Sequence, residues 1–216
     1  MKKEKIYCFD FDGTLTKKDT LIEFIKYTWG IPRFIMGFLL YSPLLVLMKF
    51  HLFPNWKAKQ LIFKHFFGGM TIEEFDECCT YFASQNLYLL RFDGIRLIQE
   101  AQHNHERVFV VSASIDNWVR PFFAFQMLAN VEVIGTQIEV INGKVTGRFK
   151  TNNCYGEEKV RRIKEALASI SQRERKESSY LPFDRRRYEI EAFGDSRGDK
   201  EMLAFADHAH YKPFRD

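Results

Sequence analysis

Apolar residues gather in three short runs, each stopping on a polar side chain. Residues 5–11 (KIYCFDF) end on Asp10 and Asp12, and residues 107–114 (RVFVVSAS) end in small residues. Tyr188–Gly194 (YEIEAFG) runs straight into Asp195. Such runs read as buried strands. Between them the apolar spacing changes to three and four. Residues 21–90 keep that helical period with few β-branched runs. PNWKAKQLIFKHFF halts at Gly68-Gly69, and Thr71 followed by Glu74 is a capping-box signature for the next helix. GIRLIQEAQHNHE, DNWVRPFFAFQMLA (with Pro121 as a kink point) and residues 156–170 (GEEKVRRIKEALASI) predict three more helices. VEVIGTQIEVINGKVTGRF predicts a short strand and then a hairpin, since Asn142-Gly143 supplies the positive φ of a type I′ turn.

Strands alternating with helices predict an α/β fold: a Rossmann-like parallel sheet flanked by helices, with an inserted all-helical block and a small β-hairpin. We divide the chain into a core of residues 1–18 and 91–216 and an inserted block of 19–90. Ligands of such sheets bind outside the carboxyl ends of the strands. Asp10, Asp12, Ser112 and Asp195 should therefore converge on one sheet edge.

Composition narrows the class. The chain has 216 residues, 46% hydrophobic and 28% charged, with 22 Phe. That suits one sizeable core with an inserted subdomain. A net charge of +4 favours neither nucleic acid nor membrane, and no nucleic-acid partner is expected. Cys8, Cys78, Cys79 and Cys154 form no metal or disulfide pattern, so reduced thiols and a cytoplasmic setting are expected. The apolar run after MKKEK meets Asp10 too early for a signal-peptide core. His51, His65, His103 and His105 have no zinc spacing with cysteines. The basic run between Arg173 and Arg187, with Tyr180 and Phe183 interleaved, reads as a solvated face, an acidic partner being the alternative. Residues 34–48 (FIMGFLLYSPLLVLM) are uncharged, interrupted by Pro43 and shorter than a bilayer span needs. We expect them to pack within the helical block. The alternative is contact with a membrane surface, which would make the protein peripheral at the inner face.

Four carboxylates meeting at one sheet edge (Asp10, Asp12, Asp195, Asp199) cannot all stay ionised without a counter-charge. A hard divalent cation, Mg²⁺, is the natural remedy. Lys159 adds a positive charge, and the Thr14 and Ser112 hydroxyls with nearby turn amides add donors. Such a set is built for a phosphoryl group, and a carboxylate facing phosphorus can act as nucleophile.

The same residues carry a resemblance. DFDGTLT, VVSAS, YGEEKV and GDSRGDKEML resemble, in order, the four motifs of the haloacid dehalogenase (HAD) superfamily of phosphohydrolases. The resemblance implies a Mg²⁺-dependent phosphomonoesterase working through an aspartyl-phosphate. It makes Asp10 the nucleophile, Asp12 the general acid and base, and Lys159 the neutralising cation. Metal would be held by Asp10, Asp12 (through its main-chain carbonyl) and Asp195, supported by Asp199. Thr14, Ser112, Ala113 and Asp19 become phosphate- and substrate-binding candidates. A helical cap between the first two motifs is similar to the branch containing phosphoserine phosphatases. The CYGEEKV motif and the apolar cap look more like phosphatidylglycerophosphatase C. Two departures from phosphoserine phosphatases matter: Asp19 stands where those enzymes usually carry Glu, and Gly198 where they carry Asn. The expected substrate is thus a lipid phosphate such as phosphatidylglycerophosphate. The alternatives are a small polar ester such as phosphoserine, or a non-catalytic protein binding phosphate or membrane. Oligomeric state is left open.

Overall fold

The structure, a computed structural model, describes residues 3–50, 52–128, 130–175 and 183–215. His51 and Tyr180, and with Tyr180 part of the basic run, lie outside the described residues.

Strands β1 (Glu4–Phe9), β2 (Arg107–Ile115), β3 (Val131–Thr136), β6 (Tyr188–Gly194) and β7 (His208–Tyr211) form a parallel sheet in the order β3-β2-β1-β6-β7. Side-chain alternation divides the core between its two faces. Tyr7 and Phe9 point to one side, with Val108 and Val110, against α4 (Phe92–His103) and α5 (Asp116–Phe125). Ile6 and Cys8 point to the other, with Phe109 and Val111, against α6 (Glu157–Arg175) and α7 (Lys200–Phe205). Burying both faces is what a parallel sheet requires. The hairpin of β4 (Ile138–Ile141) and β5 (Lys144–Phe149) turns at Asn142 (φ 51°) and Gly143 (φ 72°), as the Asn-Gly pair predicts.

The helical block comprises α1 (Thr20–Lys49), α2 (Asn55–Phe67) and α3 (Ile72–Gln85). The predicted capping box starts α3: Glu74 N donates to Thr71 Oγ1 (3.2 Å) and Thr71 N to Glu74 Oε2 (3.0 Å). Phe24, Phe67, Phe75 and Phe82 are buried with Trp118 and Phe122 of α5, so block and sheet face share one apolar cluster.

Residues 34–48 depart from expectation. Pro43 does not interrupt them; α1 runs through it. Proline leaves the carbonyl four residues earlier without its helical donor, and the Ser42 hydroxyl donates to that Leu39 carbonyl at 2.8 Å. The break falls earlier, at Gly30 (φ 76°, ψ 163°), which only glycine adopts readily. Nor does the segment pack as a whole. Phe34, Phe38, Tyr41 and Leu45 face the core, whereas Met36, Leu39 and Leu40 are each about two-thirds exposed. Helix α1 is long and apolar enough to cross a membrane by length and composition.

The first strand ends earlier than the apolar run suggests. Asp12 and Phe11 belong to the tight turn Phe11–Leu15, not to β1. Gly13 takes φ 80° there, and a Cβ at that point would lie 2.5 Å from Asp195 Oδ2. Both the turn and the approach of Asp195 need glycine.

Candidate active site

Register assembles the site. Phe9 pairs with Phe193 across β1 and β6, and Asp10 N donates to the Phe193 carbonyl (2.8 Å). The chain leaving β1 therefore lies beside the chain leaving β6. One ligand oxygen from each of Asp10, Asp195 and Asp199 falls within 4.8 Å of the others.

Lys159 reaches this cluster from the first turn of α6 and is 1% exposed. Its ammonium spends its three donors on Asp10 Oδ1 (2.6 Å), Asp199 Oδ1 (2.6 Å) and the Val111 carbonyl (2.7 Å). Burial alone would push this cation down, but the charges of Asp10 and Asp199 outweigh it and the net shift is upward. Burial likewise drives Asp10, to about 7, with Lys159 opposing and Asp199 and Asp12 adding to the rise. Asp199 goes the other way. Burial opposes, but Lys159 and the donors of Ser196 hold its carboxyl low. Its Oδ2 accepts from Asp195 N (3.1 Å), Ser196 N (2.9 Å) and Ser196 Oγ (2.8 Å), so it fastens the loop behind it rather than capping α7.

Asp12 sits in a separate cradle. Its Oδ1 accepts from Thr20 N (2.7 Å) and Thr20 Oγ1 (2.6 Å), and its Oδ2 from Ser114 Oγ (2.5 Å). Trp118 Nε1 donates in turn to Thr20 Oγ1 (3.1 Å). The first residue of α1 thus grips the second aspartate of the motif, where the helix dipole favours an anion.

Asp10, Asp12, Asp19, Ser112, Ala113, Lys159, Asp195 and Asp199 all line one cavity of about 600 Å³. Thr14 does not. It is 1% exposed beneath the loop, its hydroxyl buried with no partner among the described residues. Ser112 Oγ accepts from Ser114 N (3.0 Å), which fixes the loop after β2. Asp19 caps α1, accepting from Ile22 N (3.2 Å), and still faces the cavity. Burial, then the charge of Asp12, raises its carboxyl.

The geometry adds residues that the sequence did not assign to the site. Lys59 of α2 lines the cavity and donates to the Ala113 carbonyl at 2.7 Å. Burial lowers this ammonium, with Asp12, Asp19 and Asp10 opposing. A lysine in an amphipathic helix carries no signal of where its tip goes. Asn153 and Tyr155 form another wall. Arg215 makes an ion pair with Asp195 Oδ2.

The donor set fits a hard divalent cation. It is three carboxylates deep, and Asp195 Oδ1 is buried with no hydrogen-bond partner among the described residues, an acceptor waiting for a charge.

Comparisons with known proteins agree with this geometry. Residues 8–204 match the model of the haloacid dehalogenase-like hydrolases. The chain is 32% identical over 212 residues to Protein CicA of Caulobacter vibrioides, covering 97% of this chain and 86% of that protein. A Bordetella pertussis Tohama I protein of unknown function superposes with a TM-score of 0.76 at 17% identity, over 94% of this chain and 87% of that one. A substrate-bound phosphoserine phosphatase complex superposes at 0.55 and 17% identity, over 95% and 84%. At such identities the solved structures speak to the fold alone. With a match running from β1 into α7 and a full-length relative at this identity, the chain belongs to the haloacid dehalogenase-like hydrolases.

Proposed function

We propose that the chain hydrolyses a phosphomonoester, with Asp10 as nucleophile. The observation that carries this reading is the buried Asp10–Lys159–Asp199 contact, beside Asp195, at the floor of a cavity large enough for a small ester. Mg²⁺ held by Asp10, Asp195 and Asp199, with Asp12 contributing its main-chain carbonyl, would supply the charge that a phosphate dianion and the carboxylates need.

In this reading an Asp10 oxygen attacks phosphorus and the bond from phosphorus to the alcohol oxygen breaks. Asp12 gives that oxygen its proton. Water then attacks the phosphorus of the aspartyl-phosphate and passes its proton to Asp12, freeing Asp10 and inorganic phosphate. Ser114 suits this double duty, because its hydroxyl can turn from donor to acceptor and hold Asp12 in either protonation state. Ser112 and the backbone around Ala113 bind phosphate oxygens, and Lys159 keeps Asp10 anionic at the moment of attack. Residues 19–90 act as a cap over the 1–18 and 91–216 core. Support for this comes from Leu21, Ile22, Phe38 and Lys59, which wall the cavity from α1 and α2.

For the substrate, a small polar ester has the better support. Solved structures with this fold include phosphoserine phosphatases. Asp19 and Lys59 also face the cavity with opposite charges, which suits a zwitterionic leaving group. An amphiphilic ester, such as a lipid phosphate, is a second reading favoured by one observation. The cavity wall continues along Phe38, Leu45 and Met48 of α1, whose outer side is the exposed apolar face. A panel of esters settles the choice: phosphoserine, other small polar phosphates, an aryl phosphate, and a lipid phosphate in mixed micelles, each with and without Mg²⁺. Turnover that requires Mg²⁺ and prefers phosphoserine supports the first reading. Preference for the micellar ester supports the second, and no turnover of any ester contradicts both.

A further inference from the structure

The segment after β7 is anchored with more care than an exposed edge requires. Lys212 N donates to the Gly194 carbonyl (2.8 Å), continuing the β6–β7 pairing. The Phe214 ring stacks on Phe193 (5.7 Å) and on Phe9 (6.3 Å). Arg91 donates Nη1 to the Phe214 carbonyl (3.0 Å) and Nε to the Thr16 carbonyl (3.2 Å), tying the segment to the loop that carries Asp10 and Asp12. These contacts set the next residue, Arg215, against Asp195.

Arg215 takes Oδ2 of that carboxylate, and Oδ1 is buried without a partner among the described residues. A carboxylate on a short side chain otherwise has two equivalent faces and free rotation. Pinning one oxygen fixes where the other points.

We infer that Arg215 is a positioning residue, holding Asp195 by one oxygen so that the other is presented to a divalent cation. The inference rests on the metal-dependent reading above. Ligating carboxylates are commonly held by such outer partners, whose loss weakens metal affinity about 10- to 100-fold. A salt-bridged arginine could instead compete with the ion, in which case removing it would tighten binding.

Calorimetric titration of the full chain with Mg²⁺, and with Mn²⁺ as a tighter probe, decides between these. The proteins are wild type, Arg215→Ala, Arg215→Lys and Asp195→Asn. The expected result is affinity about tenfold weaker in Arg215→Ala, partly restored in Arg215→Lys, and lost in Asp195→Asn. The metal-free melting temperature of Arg215→Ala should match wild type, because the guanidinium is exposed. Equal or tighter binding by Arg215→Ala overturns the positioning role and leaves the metal reading standing. Wild type that binds no better than Asp195→Asn overturns both.

Discussion

Lys159 governs the electrostatics of the site, and its neighbour Asp10 gives that statement a measurable form. In the folded, metal-free chain Asp10 keeps its proton to about pH 7, against an ordinary value of 3.8. Folding therefore takes up a proton between those values. Its contribution to stability is present at low pH and is lost as pH rises through about 7. With chelator present, the wild-type melting temperature should fall between about pH 5.5 and about pH 7.5, and Asp10→Asn should flatten the fall. A wild type that gains stability over that range contradicts the picture. Legibility at this scale was uneven. Asp10, Asp12, Lys159, Asp195 and Asp199 stand out because strand ends and motif order mark them. Thr20, Ser114, Lys59 and Arg215 do not, because their roles depend on where long or hydroxylated side chains reach across the fold. Thr14 shows the reverse: a hydroxyl inside the DFDGTLT stretch that carries Asp10 and Asp12, yet buried away from the cavity.

Among the elements, α1 carries the most consequence. Its beginning is chemical, with Asp19 capping it and Thr20 gripping Asp12. Its second half, beyond Gly30, presents Phe38, Leu45 and Met48 to the cavity and Ile35, Met36, Leu39 and Leu40 outward. The apolar run itself was plain in the sequence. Its continuity was not, because proline reads as a stop unless a neighbouring hydroxyl takes over the orphaned carbonyl, as Ser42 does. Strand β7 was missed for a related reason. HAHY has no apolar run, and its four residues are exposed at the sheet edge. If α1 serves an amphiphilic substrate, a Leu39→Lys, Leu40→Lys variant should lose sedimentation with anionic vesicles while hydrolysing a soluble aryl phosphate at the wild-type rate. Wild type that fails to sediment removes the membrane-surface reading.

The whole molecule is organised so that distant stretches of chain meet at one sheet edge. The parallel order β3-β2-β1-β6-β7 puts β1 at its centre, between the strands that deliver Ser112 and Asp195. Alternating patterns and strand order foretold this architecture, the hairpin and the convergence. What the pattern could not give is the distance scale. Asp10 and Lys159, 149 residues apart, are joined by a 2.6 Å contact that only the assembled fold creates. Everything chemical in the account depends on Asp10 accepting a phosphoryl group. The most direct measurement is rapid acid quenching of the enzyme during turnover of an aryl phosphate, followed by mass analysis of its peptides. The phosphoryl group should be found on Asp10, should accumulate in Asp12→Asn because water is no longer activated, and should vanish in Asp10→Asn together with at least about a thousandfold of the rate. Undiminished turnover by Asp10→Asn, or a phosphoryl group on another residue, would contradict the account.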